Sequence, residues 1–98
     1  MSEVIVYKRK NIIKKDAEIK LYGNRIVIDE GLETSIVFPF EEVSAVSVLG
    51  RNKLNIYHDK KVYQLKSDKH FNALKYVNIY YHYKNVSKGD PNGEFLGL

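Results

Sequence analysis

The sequence predicts an α+β domain in which about seven short antiparallel strands form a partly open barrel closed by one C-terminal helix. Up to Lys66 the chain consists of short segments rich in β-formers, separated by turn residues. The connections of roughly two to six residues suit antiparallel neighbours, because parallel strands need longer crossovers. After Lys66 the apolar residues recur at helical spacing.

The strands are predicted from the alternation of apolar and polar residues and from the turns between them. Residues 17–22 alternate, and Gly23-Asn24 after them is typical of a two-residue hairpin turn. Asp59-Lys60 predicts a second tight turn, and Pro39 ends a strand because proline cannot donate to a ladder. The other predicted strands are 3–7, 25–29, 34–38, 44–49, 53–57 and 62–66.

One helix is predicted from about Lys69 to Lys84, with Ser67 and Asp68 as candidate N-cap residues. It completes a domain of residues 1–85, and residues 86–98 are predicted to form a tail. Helical spacing assigns one apolar face of this helix to the core. The residues on that face are Phe71, Ala73, Leu74, Val77 and Tyr81.

A second apolar stripe lies nearly opposite on the same helix and consists of Tyr76, Ile79 and Tyr83. A surface helix is normally polar on that side, so these side chains should be buried against something. Two explanations stay open. Either the tail folds back through Phe95, Leu96 and Leu98, or the stripe is a protein interface with a second copy of the chain or with a parent catalytic domain.

Composition excludes several classes of protein. The 98 residues contain no cysteine, so the chain has neither disulfides nor thiolate metal sites. Its start is too short and too acidic for a signal peptide, and no apolar run approaches the ~20 residues that span a bilayer. We therefore expect a cytoplasmic domain.

The residues that usually carry catalysis or bind metals form no recognisable set. His58, His70 and His82 are evenly spaced, and on a helix the last two would lie about 18 Å apart along the axis. Glu41-Glu42 would project to opposite faces of an extended segment, and no glycine-rich phosphate loop or nucleophile elbow occurs. We therefore expect no catalytic residue, no metal site and no cofactor.

Basic residues are concentrated near the start of the chain, although the net charge is only +4. Residues 8–15 are predicted to form a loop that attracts anionic lipid by up to about 1 kcal/mol per basic residue, or else a solvated loop without a ligand. Nucleic acid is a poorer fit, because only Tyr7 adjoins these residues as a stacking platform. The predicted anion-binding residues are Lys8, Arg9, Lys10, Lys14 and Lys15. Further basic residues at 51, 53, 60 and 61 surround two later turns.

The order of seven strands followed by a helix resembles that of the pleckstrin-homology superfold. Residues 36–46, Ile-Val-Phe-Pro-Phe-Glu-Glu-Val-Ser-Ala-Val, look like a stretch found in bacterial members, and the strand pair 54–65 before the helix is also similar. The resemblance covers about residues 17–84. It implies that the basic segment 8–15 occupies the loop in which many relatives hold phosphoinositide head groups.

The helix segment 70–77 and its tyrosine-rich continuation resemble the small domain after the catalytic part of some bacterial lysophosphatidic acid acyltransferases. Those enzymes carry a His-x4-Asp motif, and no histidine of this chain is followed by aspartate at that spacing. The resemblance therefore implies a noncatalytic accessory domain of a phospholipid-synthesis enzyme, peripheral at the inner face of the membrane. The alternative is a free-standing domain of the same fold that binds lipid or another ligand.

Overall fold

The computed structural model describes residues 2–50, 52–67 and 71–87. This part of the chain contains seven strands, one 3-10 turn and one helix. The strands are β1 (Ser2–Lys8), β2 (Asn11–Leu21), β3 (Arg25–Ile28), β4 (Ile36–Pro39), β5 (Val43–Val48), β6 (Lys53–His58) and β7 (Lys61–Lys66). The 3-10 turn is Phe40–Glu42, and the helix α1 is Ala73–Ser87.

The strands form one antiparallel sheet in the order β4-β3-β2-β1-β7-β6-β5, curled into a nearly closed barrel. This arrangement confirms the predicted fold class. The two edge strands, β4 and β5, are consecutive in the chain and are joined only by the 3-10 turn Phe40–Glu42. Phe40 itself is fully buried, so the seam between the edges is filled by a large apolar side chain.

The barrel interior is filled mainly by alternate residues of the strands, as expected for a sheet with one face toward the core. One layer consists of Val6, Leu65 and Leu54, which are opposite one another on β1, β7 and β6 and are all fully buried. The neighbouring residues in register, Tyr7, Gln64 and Asn55, therefore project from the outer face. That outer face carries the site described below.

Strand β2 is irregular, and its first half extends beyond the strand that follows it. It pairs with β1 along its length, with two register shifts, but with β3 only at residues 19–21. Asp16 has a left-handed φ of 53° within the first shift. Two hydrogen bonds hold this region to the end of β3. Asp29 accepts one from Lys14 Nζ at 3.0 Å and one from the Glu18 N–H at 2.9 Å. Partial burial raises the pKa of Asp29, but these hydrogen bonds outweigh it and lower the pKa overall.

The helix begins later than predicted, because its N-cap is Asn72 rather than Ser67 or Asp68. The Asn72 side-chain oxygen accepts a hydrogen bond from the Lys75 N–H at 3.3 Å. Ser67 instead bonds through its backbone to Asn52, and Asp68 lies outside the described residues. At the other end α1 continues to Ser87, into the segment predicted to be tail.

The helix also turns a different face to the barrel than the one predicted. Phe71 directly precedes the cap and packs against Tyr76, four positions into the helix, with the ring centroids 5.5 Å apart. Such a hydrophobic staple fixes which face enters the core. Tyr76 is therefore buried, whereas Leu74, predicted to be core, is 53% exposed. The predicted core face was wrong at these two positions.

Tyr80, which neither predicted stripe contained, makes the main contact between the helix and the barrel seam. Its side chain is 2% exposed, and its hydroxyl donates to the Val43 carbonyl at 2.7 Å. Its ring packs edge-on against Phe40, with the centroids 5.3 Å apart. Burial, with a smaller contribution from Tyr81, raises the pKa of Tyr80 to about 12.

Replacing Tyr80 by phenylalanine should lower the free energy of unfolding by about 1 kcal/mol, because the buried hydrogen bond to the Val43 carbonyl is lost while the ring packing stays. Urea unfolding followed by circular dichroism measures the change. Tyr81→Phe, which removes the hydroxyl of a half-buried neighbour, is the control and should change stability by less than about 0.5 kcal/mol. Equal effects of the two variants would contradict this role of Tyr80.

The raised pKa of Tyr80 also predicts a loss of stability in base. The unfolded chain releases this proton near the ordinary tyrosine value of 10.0, whereas the folded chain retains it to about pH 12. The stabilisation is complete below pH 10 and is lost as the pH rises from there to about 12. Urea midpoints across this window should fall less steeply for Tyr80→Phe than for the unsubstituted chain. Parallel slopes would contradict the prediction.

Candidate functional site: a basic cleft between two hairpin turns

Two hairpin turns of the barrel have the same unusual conformation. The β1–β2 turn consists of Arg9-Lys10, and the β6–β7 turn consists of Asp59-Lys60. All four residues have left-handed φ values, at 52°, 71°, 51° and 61° respectively. These are the values of a type I′ turn, which is normally built from asparagine and glycine.

Three of these four left-handed positions carry long basic side chains: Arg9, Lys10 and Lys60. A residue with a Cβ pays roughly 1–2 kcal/mol for this conformation, and lysine and arginine have no short side chain to compensate it. The turns thus place positively charged residues at positions where glycine would give a more stable fold. Backbone strain of this kind is concentrated at functional sites in proteins.

The two turns lie side by side, because β1 and β7 are neighbours in the sheet. The Arg9 N–H donates to the Val62 carbonyl at 3.2 Å and continues the β1–β7 ladder into the turn. A cleft of about 460 Å³ opens beside the turns on the outer face of β1, β7 and β6. We call it the turn cleft; it is lined by Tyr7, Arg9, Lys10, Asn55, Lys60, Lys61, Val62 and Gln64.

The wall of the turn cleft includes a pair of amide side chains. Gln64 Nε2 donates to Asn55 Oδ1 at 3.1 Å across the β6–β7 pair. Each amide has both a carbonyl oxygen and an NH₂ group, so this bond uses only one group of each side chain. The remaining carbonyl and NH₂ groups give the wall the capacity to bind a ligand that has hydroxyl or phosphate oxygens.

Positive charge dominates the turn cleft. Four of its lining side chains are basic and none is acidic. Asp59 in the β6–β7 turn lies 3.6 Å from Lys61 Nζ, but its side chain is 74% exposed, so it screens that charge weakly. Arg9 and Lys10 in the facing turn are exposed. The net field in the turn cleft therefore attracts anions.

The predicted basic loop is a hairpin instead, and this separates the five predicted anion-binding residues. Residues 8–15 belong to the end of β1, a two-residue turn and the first half of β2, so the loop prediction was wrong. Arg9 and Lys10 line the turn cleft. Lys14 is paired with Asp29, Lys8 lies over the Tyr63 ring with its Nζ 5.9 Å from the centroid, and Lys15 is exposed.

The residues of the predicted protein-interface stripe are also separated: one lies in the core and two are half-buried. Tyr76 belongs to the core, so its outward orientation was wrong. Ile79 and Tyr83 are half-buried and pack against the core, and Tyr83 lies 5.7 Å from the Phe40 ring. Contact of Ile79 and Tyr83 with a partner stays a prediction. The alternative prediction, that the tail covers these side chains, involves residues outside the described ranges.

Four residues of the cleft lining are not among the site residues predicted from the sequence: Asn55, Lys60, Lys61 and Gln64. The sequence predicts the turn Asp59-Lys60 with basic residues around it, but nothing local indicates which turn lies beside it. That information is in the β1–β7 pairing, which joins strands more than fifty positions apart. The one sequence signal that both turns share, and that could have indicated the site, is a basic residue in a predicted type I′ turn.

No group of three or more metal-ligating side chains occurs in the described ranges 2–50, 52–67 and 71–87. His58 lies 3.5 Å from Glu42 Oε1 at the barrel seam and packs edge-on against Phe38. Within these ranges no helix has the length and apolarity needed to cross a bilayer. No family model, curated protein or solved structure matches this chain.

Lys10→Gly and Lys60→Gly should each raise the free energy of unfolding by about 0.5–1 kcal/mol, because relief of the left-handed strain exceeds the extra entropy that glycine has in the unfolded chain. Urea unfolding measures the change. Lys53→Gly removes the same side chain from strand β6, where glycine should instead destabilise the fold by roughly 0.5–1 kcal/mol. Lower stability of the two turn variants would show that the turns are not strained.

Proposed function

We propose that this chain is a noncatalytic binding module that holds a phosphate-bearing anion in the turn cleft. The observation that carries the proposal is the convergence on one cleft of three basic side chains from two strained turns and of Lys61 beside them. The stability lost at Lys10 and Lys60 is explained if those side chains bind a ligand. A basic side chain that only faced water would not need to lie at a strained backbone position.

The chemistry of the lining suits a phosphate group. Arg9 offers a planar pair of N–H donors that matches two phosphate oxygens, and the lysines add mobile point charges. The amides of Asn55 and Gln64 line the same cleft and would supply hydrogen bonds to ligand atoms other than the phosphate oxygens. A volume of about 460 Å³ lies within the range of small-molecule sites. A head group of the size of glycerol phosphate would fit such a site.

The lining supports binding rather than catalysis. Its described residues include no histidine or carboxylate for proton transfer and no serine, threonine or cysteine for nucleophilic attack. Under this proposal, the accessory role implied by the resemblance to acyltransferase domains makes a membrane-associated phospholipid-synthesis enzyme the expected parent. A free-standing lipid- or ligand-binding domain is the alternative, and the turn cleft would serve both.

The test is a titration with glycerol 3-phosphate and with inorganic phosphate, followed by two-dimensional amide NMR. Shifts should centre on Arg9, Lys10, Lys60 and Lys61. Lys10→Gly/Lys60→Gly should weaken binding about five- to thirtyfold, since two charge contacts of about 0.5–1 kcal/mol each are lost.

The matched control is Lys15→Gln/Lys75→Gln, which removes the same charge from two exposed positions outside the cleft lining. It should leave both titrations within about twofold of the unsubstituted chain. Shifts spread over all basic residues, or equal weakening by the two pairs of substitutions, would overturn the proposal.

A further inference from the structure

The outer face of β1, β7 and β6 extends beyond the turn cleft and carries three rows of side chains. The members of a row are opposite one another in the strand pairs. At about 3.3 Å per residue, the far row lies roughly 13 Å along β7 from the row nearest the turns. The near row contains Val62 and Tyr57, the middle row contains Tyr7, Gln64 and Asn55, and the far row contains Ile5, Lys66 and Lys53.

The far row brings two lysines together. Lys53 and Lys66 are directly opposite each other on β6 and β7, and both are half-buried. Neither forms an ion pair with another residue of the described ranges. Like charges at directly opposite positions destabilise a sheet. A bound anion would remove this repulsion, as it would compensate the strain of the basic turns.

These lysines continue the positive charge of the turn cleft along the sheet, and acidic residues mark where it ends. Glu3, two positions before Ile5 on β1, is opposite Glu18 on β2. The positive surface therefore stops at the far row. Its length indicates a ligand that carries more than one phosphate. We call this surface the basic track; it consists of Arg9, Lys10, Lys60, Lys61, Lys53 and Lys66.

Aromatic and amide side chains lie between the two ends of the basic track. Tyr57 is 36% exposed and Tyr7 is half-buried, and both belong to the outer face. A tyrosine ring on such a face is a platform on which a nucleobase can stack. Gln64 and Asn55 retain free carbonyl and NH₂ groups, which are the groups that hydrogen-bond to base edges. The sequence alone indicates only Tyr7 as a platform, and strand pairing adds the other three residues.

An extended peptide is a poorer occupant of this surface. The strands beneath it, β1, β7 and β6, are interior strands of the sheet, and each is paired on both sides. A peptide could not add to the sheet there, because the ladder hydrogen bonds are already used. An acidic peptide would match the charge but would leave the tyrosine rings without stacking partners.

We infer that the phosphate in the turn cleft belongs to a single-stranded nucleic acid, which follows the basic track to Lys53 and Lys66 and stacks bases on Tyr57 and Tyr7. The inference rests on the proposed function and names the source of the phosphate. It favours the free-standing ligand-binding domain over the accessory domain of a lipid enzyme. A duplex does not fit, because its bases are stacked on one another and cannot reach the tyrosine rings.

The test is fluorescence anisotropy with a labelled twelve-nucleotide oligothymidylate and with oligouridylate of the same length. Binding of either strand supports the inference, and the ratio of the two affinities identifies the preferred sugar. A hairpin duplex with the same number of phosphates should bind at least about tenfold more weakly, because it offers charge without free bases. Equal binding of the duplex would overturn the inference. Equal binding of poly-glutamate would overturn it in favour of an acidic protein partner.

Lys53→Gln/Lys66→Gln tests the far end of the basic track. Loss of two phosphate contacts should reduce the slope of log affinity against log salt concentration by about 1.4. The matched control is Lys15→Gln/Lys75→Gln, which removes the same charge from exposed positions elsewhere and should leave the slope unchanged. Lys53 and Lys66 lie outside the cleft lining, so the first pair should leave the glycerol 3-phosphate affinity within about twofold.

Tyr57→Leu tests the stacking platform, because it keeps an apolar side chain but removes the ring. It should weaken oligothymidylate binding about five- to thirtyfold. Tyr57 is also outside the cleft lining, so glycerol 3-phosphate binding should stay within about twofold. In two-dimensional amide NMR, the oligonucleotide should shift the signals of Tyr57, Lys53 and Lys66, whereas glycerol 3-phosphate should shift only those of the cleft.

The outcomes separate this inference from the proposed function. Equal salt slopes for the two lysine pairs, or full oligonucleotide affinity in Tyr57→Leu, with glycerol 3-phosphate still bound in the turn cleft, would overturn the inference and leave the proposed function standing. Failure of both glycerol 3-phosphate and inorganic phosphate to bind in the cleft would overturn the proposed function, and the inference with it.

Discussion

The fold depends on a short link between two strands that are at opposite edges of the sheet. Seven strands laid flat would separate β4 from β5 by six spacings, or about 29 Å. The three residues Phe40–Glu42 that join them can reach only about 10 Å. The sheet therefore has to curl until its edges meet. Phe40 and Tyr80 then fill the seam, and for this reason the helix lies against β5 and the 3-10 turn rather than elsewhere on the barrel.

The candidate site depends on a different pairing in the same sheet. Strand β1, at the start of the chain, is hydrogen-bonded in the interior of the sheet to β7, which lies more than fifty residues later. Each of these strands ends in a two-residue turn at the same end of the barrel, so Arg9 and Lys60 are brought to one cleft. The site is thus a product of long-range strand pairing, and its charges come from two segments that are far apart in the chain.

Local patterns predicted the elements well, but not their mutual positions. The seven strands along the chain, the turn at Asp59-Lys60 and the single helix follow from periodicity and turn chemistry. The segment 8–15 is predicted to be a loop because it lies between two predicted strands and matches the first loop of the fold that the chain resembles, whereas pairing with β1 and the bond from Lys14 to Asp29 make residues 11–15 part of a strand. The predicted helix start was wrong because its N-cap, Asn72, competes with two equally good caps upstream. Which cap is used depends on packing against the barrel, which a sequence pattern does not contain.

The register shift at Asp16 affects which parts of β2 can change in sequence during evolution. In an ordinary strand, inserting one residue reverses the facing of every residue after it. In β2 the shift absorbs one extra position between the half that pairs with β3 and the half that projects toward the turn cleft. The inner half must keep Ala17 and Ile19 in the core, while the outer half is free of that requirement. Selection can therefore alter the outer half, and with it the chemistry beside the turn cleft, without disturbing the packing of the barrel.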